Sequence, residues 1–296
     1  MATLLCLGLG YCARHYVAHF GGRFDRVLGT VRTGEKADRI NVDNAVEALV
    51  FDGHACAEIA AAIADCNAIL MSAPPSEAGD PVFGAFSNAL AAAPKLTSVV
   101  YLSTVGVYGH QDGAWVDEAT APKPTTARGR ARLSAEAAWR SLESRNRGVR
   151  AATSIAVLRL AGIYGPGRNA LAQVAKGTAK RIIKPRQIFN RIHVADVAQV
   201  IDSVFARRAG GIFNVSDDEP APPQDVIGFA ADLLHLPAPP EISFAEAVRD
   251  LSPMAASFYA ECRRVRNERI KNELGIALRF PTFREGLRAL AAAGEY

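Results

Sequence analysis

The sequence predicts an α/β protein with a doubly wound parallel sheet and a smaller C-terminal part. Short apolar runs alternate with alanine-rich helical stretches, and a glycine-rich turn follows the first run. The runs are apolar throughout, which is typical of parallel strands covered by helices on both faces. Right-handed crossovers then give a doubly wound sheet. The predicted strands are Thr3–Leu7, Arg26–Thr30, Ala48–Phe51, Ala68–Met71, Ser98–Leu102 and Ile155–Leu160.

The turn after the first predicted strand is the most informative local motif. Gly8-Leu-Gly10-Tyr11-Cys12-Ala13 is a GxGxxA sequence, and a helix is predicted over Tyr11–Phe20. Gly8 permits a tight turn, Gly10 lets the backbone approach a pyrophosphate, and Ala13 allows the helix to pack closely on the strand. The helix N-terminus then faces the anion. In this context the motif predicts a Rossmann-type site that binds a dinucleotide.

The end of the second strand bears on the choice of dinucleotide. A site that prefers NAD usually has an acidic residue there, about 20 positions after the glycines, to bind the ribose hydroxyl. This chain has Arg32 instead. A guanidinium can pair with a 2′-phosphate. We therefore expect NADP as the cofactor, with NAD as the alternative.

The pattern loosens after about residue 160. Proline and glycine interrupt shorter elements at 165–167, 220–223 and 237–240. We predict a dinucleotide-binding domain over residues 1–160. Residues 161–296 are expected to form mainly a substrate-binding part, with some segments returning to the sheet.

Composition narrows the class of protein. The chain has 296 residues, of which 49% are hydrophobic, and a formal net charge of +4. The basic residues are not clustered, so we expect a small-molecule partner rather than a nucleic acid or a membrane. The N-terminus lacks the pattern of a signal peptide, which favours a cytoplasmic location. The odd number of cysteines, without CxxC spacing, suggests no disulfide framework and no metal site.

Several segments together resemble the extended short-chain dehydrogenase/reductase family, which includes nucleotide-sugar epimerases and dehydratases. The first is Tyr-Leu-Ser-Thr-Val-Gly-Val-Tyr-Gly over residues 101–109. Similar segments follow in the order expected of the family. They are Arg159–Arg168, Arg191–Val197, Gly211–Val215, Glu273–Gly275 and Phe283–Leu287.

The resemblance implies further cofactor contacts and one catalytic hydroxyl. Asp52, after the third strand, would contact the adenine. The loop Ser72-Ala73-Pro74 would lie beside the adenosine ribose. Thr104 matches the position whose hydroxyl bonds the reacting oxygen.

The chain departs from the family at its main catalytic pair. Family members use a tyrosine to move a proton on the substrate oxygen, and a lysine four residues later lowers the tyrosine pKa and holds the ribose. Here Arg128 occupies the tyrosine position and Arg132 the lysine position. Arg132 could still bind the nicotinamide ribose, but an arginine stays protonated and cannot act as a general acid or base.

Three explanations for this departure stay open. Tyr108 or Tyr164 could supply a phenol, His193 could act as a base, or the protein could bind the dinucleotide without standard redox chemistry. Tyr164, Arg168 and His193 lie in the substrate-side segments. The arginines at 128, 130, 132 and 168 could form a solvated face or hold an anionic substrate.

The sequence therefore favours an NAD(P)-binding oxidoreductase, or an epimerase or dehydratase, that acts on a polar small molecule such as a nucleotide sugar or a phosphorylated compound. The alternative is an NADP-binding sensor that has lost catalysis. Family members commonly pair through helices on the flank of the sheet, so the resemblance implies a homodimer. Trp139 could contribute to that contact or be buried in the chain's own core.

Overall fold

A computed structural model describes residues 1–41, 46–145 and 153–296 of the chain. The strands in these residues are β1 (Thr3–Leu7), β2 (Arg26–Val31), β3 (Glu47–Val50), β4 (Ala68–Met71), β5 (Ser98–Thr104), β6 (Trp115–Val116), β7 (Ser154–Leu160), β8 (Gly162–Tyr164), β9 (Arg181–Ile183), β10 (Arg191–His193), β11 (Gly211–Val215), β12 (Glu241–Ser243) and β13 (Arg264–Val265). The helices are α1 (Tyr11–Phe20), α2 (Gly34–Asn41), α3 (Ala57–Asp65), α4 (Pro81–Ala92), α5 (Ala127–Arg140), α6 (Leu142–Arg145), α7 (Ala170–Ala175), α8 (Val194–Arg207), α9 (Pro223–Leu233), α10 (Phe244–Ala247), α11 (Pro253–Tyr259), α12 (Glu268–Leu274) and α13 (Phe283–Ala292). A short 3-10 helix over Val105–Tyr108 follows β5.

Seven strands form one parallel sheet in the order β3-β2-β1-β4-β5-β7-β11. The predicted α/β fold class is confirmed. From β1 the chain first builds outward through β2 and β3, and then returns to place β4 on the other side of β1. At such a switch point the flanking loops diverge and leave a crevice at the carboxyl ends of the strands. That edge is where a ligand site is expected.

Both faces of the sheet are covered by apolar packing. Alternate residues of β1 point to opposite faces: Leu4 and Cys6 contact the core beneath α1 and α8, whereas Leu5 and Leu7 contact the core beneath α3, α4 and α5. Trp139 of α5 lies fully buried in the second core, and its indole nitrogen donates to Asp80 Oδ2 at 2.9 Å. Trp139 is therefore part of the chain's own core and is not available for a contact between subunits.

A buried ion pair fixes α5 against the sheet. The Arg159 guanidinium of β7 lies 2.8 Å from the Glu136 carboxylate of α5, and their side chains are 2% and 3% exposed. Ser103 Oγ of β5 also donates to Glu136 at 2.5 Å. A buried ion pair adds little net stability, because the cost of desolvating both charges offsets much of their attraction, but it fixes the relative position of the two side chains. Here the pair sets the orientation of α5, whose N-terminus reaches the carboxyl edge of β5.

The C-terminal part contributes both to the main sheet and to a smaller core. β11 joins β7 at the edge of the sheet. Helices α7, α9 and α13 bury a separate apolar cluster that includes Leu171, Ala230, Phe283 and Leu287. The division of the chain near residue 160 stays a prediction. Within the described residues, no helix combines the length and the apolar character needed to cross a membrane.

Candidate functional site

The glycine turn has the conformation that its sequence predicts. Gly8 has a φ of +94°, and a methyl group added there would lie 2.6 Å from the Ala73 nitrogen. Its own N–H donates to Thr30 Oγ1 at 2.7 Å. Only glycine combines this backbone angle with so close an approach to the neighbouring loop. The turn is thus held between β2 and the loop after β4.

Helix α1 begins directly after this turn with its first N–H groups open. Gly10 is the N-cap, and no side chain caps the helix. The next residues are Tyr11, Cys12 and Ala13, of which Cys12 and Ala13 are buried. Uncapped N–H groups at a helix N-terminus bind anions, and the absence of a Cβ at Gly10 lets a ligand approach the backbone. The turn therefore fits a pyrophosphate.

Tyr11 links the glycine turn to the segment after β8. Its hydroxyl donates to the Pro166 carbonyl at 3.1 Å. The guanidinium carbon of Arg168 lies 5.9 Å from the centre of the Tyr11 ring. The structure thus brings Arg168, which the sequence placed on the substrate side, next to the cofactor turn.

The residues after β2 and β3 lie at the same edge of the sheet. Arg32 directly follows β2, is exposed, and has no ion-pair partner in the part of the chain that the structure describes. Asp52 follows β3 and accepts a hydrogen bond from the His54 N–H at 3.0 Å, which forms a tight turn. Arg32 is therefore a free cation at the position where a 2′-phosphate is expected.

The loop after β4 packs directly on the glycine turn. Both Ser72 and Ala73 donate their N–H groups to the Leu7 carbonyl, at 2.9 and 3.0 Å. Pro74, the next residue, is exposed. These contacts place Ser72-Ala73-Pro74 across the switch point of the sheet, beside the predicted pyrophosphate site.

The end of β5 brings Thr104 and Tyr108 into different environments. Thr104 Oγ1 accepts the Gly106 N–H at 3.1 Å, so its own hydroxyl hydrogen is free to donate. Tyr108 is fully buried, and its hydroxyl donates to Asn214 Oδ1 at 2.8 Å. Burial raises the pKa of Tyr108. Such a phenol is a poor proton donor to a substrate, so we do not place Tyr108 in the proposed catalytic set.

Arg128 and Arg132 lie in the first turns of α5. Gly129, between them, allows α5 to approach the 3-10 helix after β5, since a methyl group there would lie 2.9 Å from Pro124 Cβ and 3.1 Å from the Gly106 carbonyl oxygen. The Arg132 guanidinium donates to the Leu102 carbonyl at 2.6 Å and to the Tyr101 hydroxyl at 3.3 Å. Arg132 is thus held at the end of β5 and has further N–H donors for a ligand.

Tyr164 and His193 form part of the interior beside the crevice. Their rings meet edge to face, with centres 5.1 Å apart. His193 caps α8, because its Nδ1 accepts the Ala195 N–H at 3.1 Å. Burial lowers its pKa to about 4, so the ring is neutral near pH 7. Burial likewise raises the pKa of Tyr164. Both environments favour structural roles, and neither residue enters the proposed site.

The structure adds two residues to this edge that sequence analysis did not select. The guanidinium carbon of Arg128 lies 5.1 Å from the centre of the Phe258 ring, in α11. Arg263 donates to the Gly109 carbonyl at 2.5 Å and pairs with Glu261 at 2.7 Å. These contacts bring the C-terminal part against the segment after β5. The local sequence around Arg263 and Phe258 does not indicate these contacts.

Two other features are separate from this edge. A cavity of about 430 Å³ lies between α3 and α4 and is lined by small residues such as Ala60 and Ala85. Among the described residues, no group of three or more histidine, cysteine, aspartate or glutamate side chains could hold a metal ion.

The chain is similar to known proteins along most of its length. A family model described as the NAD dependent epimerase/dehydratase family matches residues 10–216, more than two thirds of the chain. A 3-diazoavenalumate denitrifying reductase from a Streptomyces species is 29% identical over 139 residues, which are 44% of this chain and 45% of that protein. That match spans less than half of the relative's length.

Solved structures agree with this similarity. A functionally unknown conserved protein from Silicibacter pomeroyi DSS is 45% identical, with a TM-score of 0.87 over 100% of both chains. A dTDP-glucose 4,6-dehydratase from Bacillus anthracis str. Ames, solved in complex with NAD, is 16% identical. Its TM-score is 0.75, over 100% of this chain and 97% of that chain. At so low an identity, the second likeness shows a shared fold.

Proposed function

We propose that the chain, which belongs to the NAD dependent epimerase/dehydratase family, transfers a hydride between a nicotinamide dinucleotide and a polar small molecule. We also propose that it prefers NADP to NAD, because of Arg32. The membership supports an enzyme of the oxidoreductase or epimerase type rather than a sensor. The bound nicotinamide would supply or accept the hydride. We also propose a homodimer, as the family resemblance implies.

The cofactor site is proposed at the switch point of the sheet. The N–H groups of Tyr11, Cys12 and Ala13 would bind the pyrophosphate, with Gly8 and Gly10 allowing its approach. Asp52 would contact the adenine, and the loop at 72–74 would lie along the adenosine ribose. The close fit of Gly8 against Ala73 supports this assignment, because it keeps side chains out of the turn.

Arg32 carries the proposed preference for NADP. It is exposed at the end of β2, and no carboxylate of the described residues pairs with it. A guanidinium in this place can hold a 2′-phosphate through charge-assisted hydrogen bonds. An NAD site would instead need an acceptor for the ribose hydroxyl here.

Arg132 and Thr104 are proposed on the reacting side. Two hydrogen bonds fix the Arg132 guanidinium at Leu102 and Tyr101, and its remaining donors would bind the nicotinamide ribose. Thr104 would donate its hydroxyl hydrogen to the substrate oxygen. Neither group can remove a proton at neutral pH, so their role is to bind and orient.

The test is a fluorescence titration of purified protein with NADPH and NADH, repeated with Arg32→Ala. Arg39→Ala is the matched control. Arg39 is also exposed, in α2 directly after β2, but it pairs with Glu35. We expect Arg32→Ala to weaken NADPH binding about tenfold, since Arg32 is exposed and its pair is worth roughly 1.5 kcal/mol. NADH binding should not change. Equal binding of both dinucleotides, unaffected by Arg32→Ala, would refute the preference.

A further inference from the structure

Two neighbouring cations lie at the crevice. Arg128 and Arg132 are one helical turn apart, and neither forms an ion pair within 4 Å of a described carboxylate. Burial, and then the nearby charge of Arg132, lowers the pKa of Arg128, although the Glu261 carboxylate acts in the opposite direction from a longer distance. An anion bound between two such cations would relieve their repulsion. The site therefore favours a ligand that carries or develops negative charge.

The same place offers an apolar surface. Phe258 is 48% exposed, and its ring lies beneath the Arg128 guanidinium. Stacking on an aromatic ring orients a guanidinium while leaving its edge donors free. Arg128 is itself exposed, so a ligand here would meet an aromatic face and a charged hydrogen-bond donor together. Such a pair suits an unsaturated or aromatic compound with a terminal oxygen.

No tyrosine replaces the missing phenol. All seven tyrosines lie in the described residues, and five of them, Tyr16, Tyr101, Tyr108, Tyr164 and Tyr259, are buried. The Tyr101 hydroxyl accepts from Arg132, but the residue is 0% exposed and so does not reach a substrate in the crevice. Tyr108 and Tyr164 donate to Asn214 and Thr282, Tyr259 packs on Phe189 and Phe244, and the half-buried Tyr11 donates to Pro166. The seventh, Tyr296, is the last residue and lies beside Glu295, whose carbonyl contacts Asn169 rather than α5.

Other acid and base groups near α5 are also occupied. Glu261 accepts from Thr125 Oγ1 at 2.5 Å and pairs with Arg263. The His110 ring contacts Asp112 through Nε2, and its Nδ1 accepts the Cys262 N–H at 3.0 Å. The reacting oxygen would therefore meet hydrogen-bond donors that keep their protons.

We propose that Arg128 binds the carbonyl oxygen of a conjugated substrate and stabilises it as an enolate, so that this enzyme reduces α,β-unsaturated ketones or aldehydes at their carbon–carbon double bond. This inference rests on the proposed function, which supplies the reduced nicotinamide. Stabilisation of a developing oxyanion by a charged donor needs no proton transfer from the protein. Arg128 is the catalytic residue in this assignment.

The electrons and atoms balance without a general acid. The hydride forms a bond to the β-carbon, the carbon–carbon π pair moves to form a new double bond to the carbonyl carbon, and the carbonyl π pair moves onto oxygen. The α-carbon then takes a proton from water, and the carbonyl re-forms. The substrate is reduced by two electrons and the nicotinamide is oxidised. A simple ketone would instead give an alkoxide, which is about as basic as hydroxide and needs immediate protonation.

The first measurement is binding rather than turnover. Hydrocinnamate carries an aromatic ring and an anionic oxygen, so it serves as an enolate mimic in calorimetric titrations. We expect Arg128→Gln to weaken its binding about tenfold to a hundredfold, and Arg128→Lys to weaken it less. Arg130→Gln is the matched control, because Arg130 is exposed on the same helix and donates only to the Thr125 carbonyl. Binding by the native protein should not vary from about pH 6 to pH 9, since arginine stays charged.

The second measurement compares matched substrates with NADPH. The pairs are benzylideneacetone with benzylacetone, cyclohexenone with cyclohexanone, and cinnamaldehyde with hydrocinnamaldehyde. We expect NADPH oxidation only with the conjugated member of a pair, saturated carbonyl products by mass spectrometry, and loss of turnover in Arg128→Gln. Faster reduction of the saturated members, or no reduction of any conjugated member, overturns the inference.

NADPH titrations of the same variants separate this inference from the proposed function. Arg128→Gln should bind NADPH like the native protein, which also shows that it is folded. If NADPH binds but hydrocinnamate binding is unaffected by Arg128→Gln, the inference fails and the cofactor site stands. If the native protein binds no dinucleotide, the proposed function fails on its own.

Discussion

Gly8 and Gly10 should respond differently to the same substitution. Gly8→Ala forces a side chain onto a backbone with φ of +94° and places its Cβ 2.6 Å from the Ala73 nitrogen and 2.9 Å from the Ala73 Cα. Both contacts are with backbone atoms, so no flexible side chain can move aside. The backbone angle costs about 1–3 kcal/mol and the overpacking a similar amount. We expect a loss of about 2–6 kcal/mol in the free energy of unfolding.

Gly10→Ala is the comparison that separates folding from binding. Gly10 has a φ of −88°, and the nearest atom to an added Cβ is Ser72 Oγ at 3.6 Å, an ordinary contact. The poorer N-cap costs at most about 1 kcal/mol. The methyl group would nevertheless occupy the space in which a pyrophosphate approaches the backbone. NADPH binding should therefore weaken by more than about tenfold.

The assay is thermal unfolding of both variants, followed by NADPH titration of each at a temperature where it is folded. At roughly 2–4 °C per kcal/mol, Gly8→Ala should lower the melting temperature by about 4–24 °C, and Gly10→Ala by a few degrees at most. Equal stability of the two variants would refute the reading of the Gly8 contact. Native affinity for NADPH in Gly10→Ala would refute the cofactor assignment.

Two further predictions concern buried groups. Glu136→Gln should lower the free energy of unfolding by about 3–5 kcal/mol, because the Arg159 guanidinium would stay buried without its counter-ion; urea denaturation checks this, and a loss below about 1 kcal/mol would contradict it. His193 should make the native protein less stable as the pH falls from about 6.5 towards 4, since its folded pKa lies below its unfolded value and the unfolded chain takes up the proton first. His193→Asn keeps a capping side chain and should reduce this slope, by up to about 1.4 kcal/mol per pH unit, in denaturation curves recorded across that range.

Most of the sheet could be predicted because each of its strands is recognisable from its own local sequence. Residues buried on both faces form continuous apolar runs, and the six predicted strands agree with the structure to within two residues at each end. The position of the cofactor site, at the carboxyl ends of these strands, could be predicted from the same apolar runs. Arg32 and Ser72 come directly after a strand and Asp52 one residue later, and the ends of parallel strands lie together.

Contacts between distant parts of the chain could not be predicted in this way. Arg128 and Phe258 are 130 positions apart, and nothing in either local sequence indicates that they stack. The same holds for Arg263, which reaches the Gly109 carbonyl. His193 is a different case, because helix N-caps are usually serine, threonine, aspartate or asparagine, so the sequence alone gave no reason to interpret a histidine as one.

The replacement of the family's tyrosine and lysine leaves the fold unchanged for a physical reason. Arginine is a good helix former, and α5 keeps its own start signal in Thr126, whose side chain accepts the Gly129 N–H at 3.1 Å. The Glu136–Arg159 pair, one to two turns further along, positions the helix, and Arg132 adds hydrogen bonds to the Leu102 carbonyl and the Tyr101 hydroxyl of β5. Two side chains can therefore change the proton chemistry of the site while the sheet, the crevice and the cofactor edge stay as they are. For this reason the fold alone does not identify the substrate, and the charges at Arg128 and Arg132 are the better guide to it.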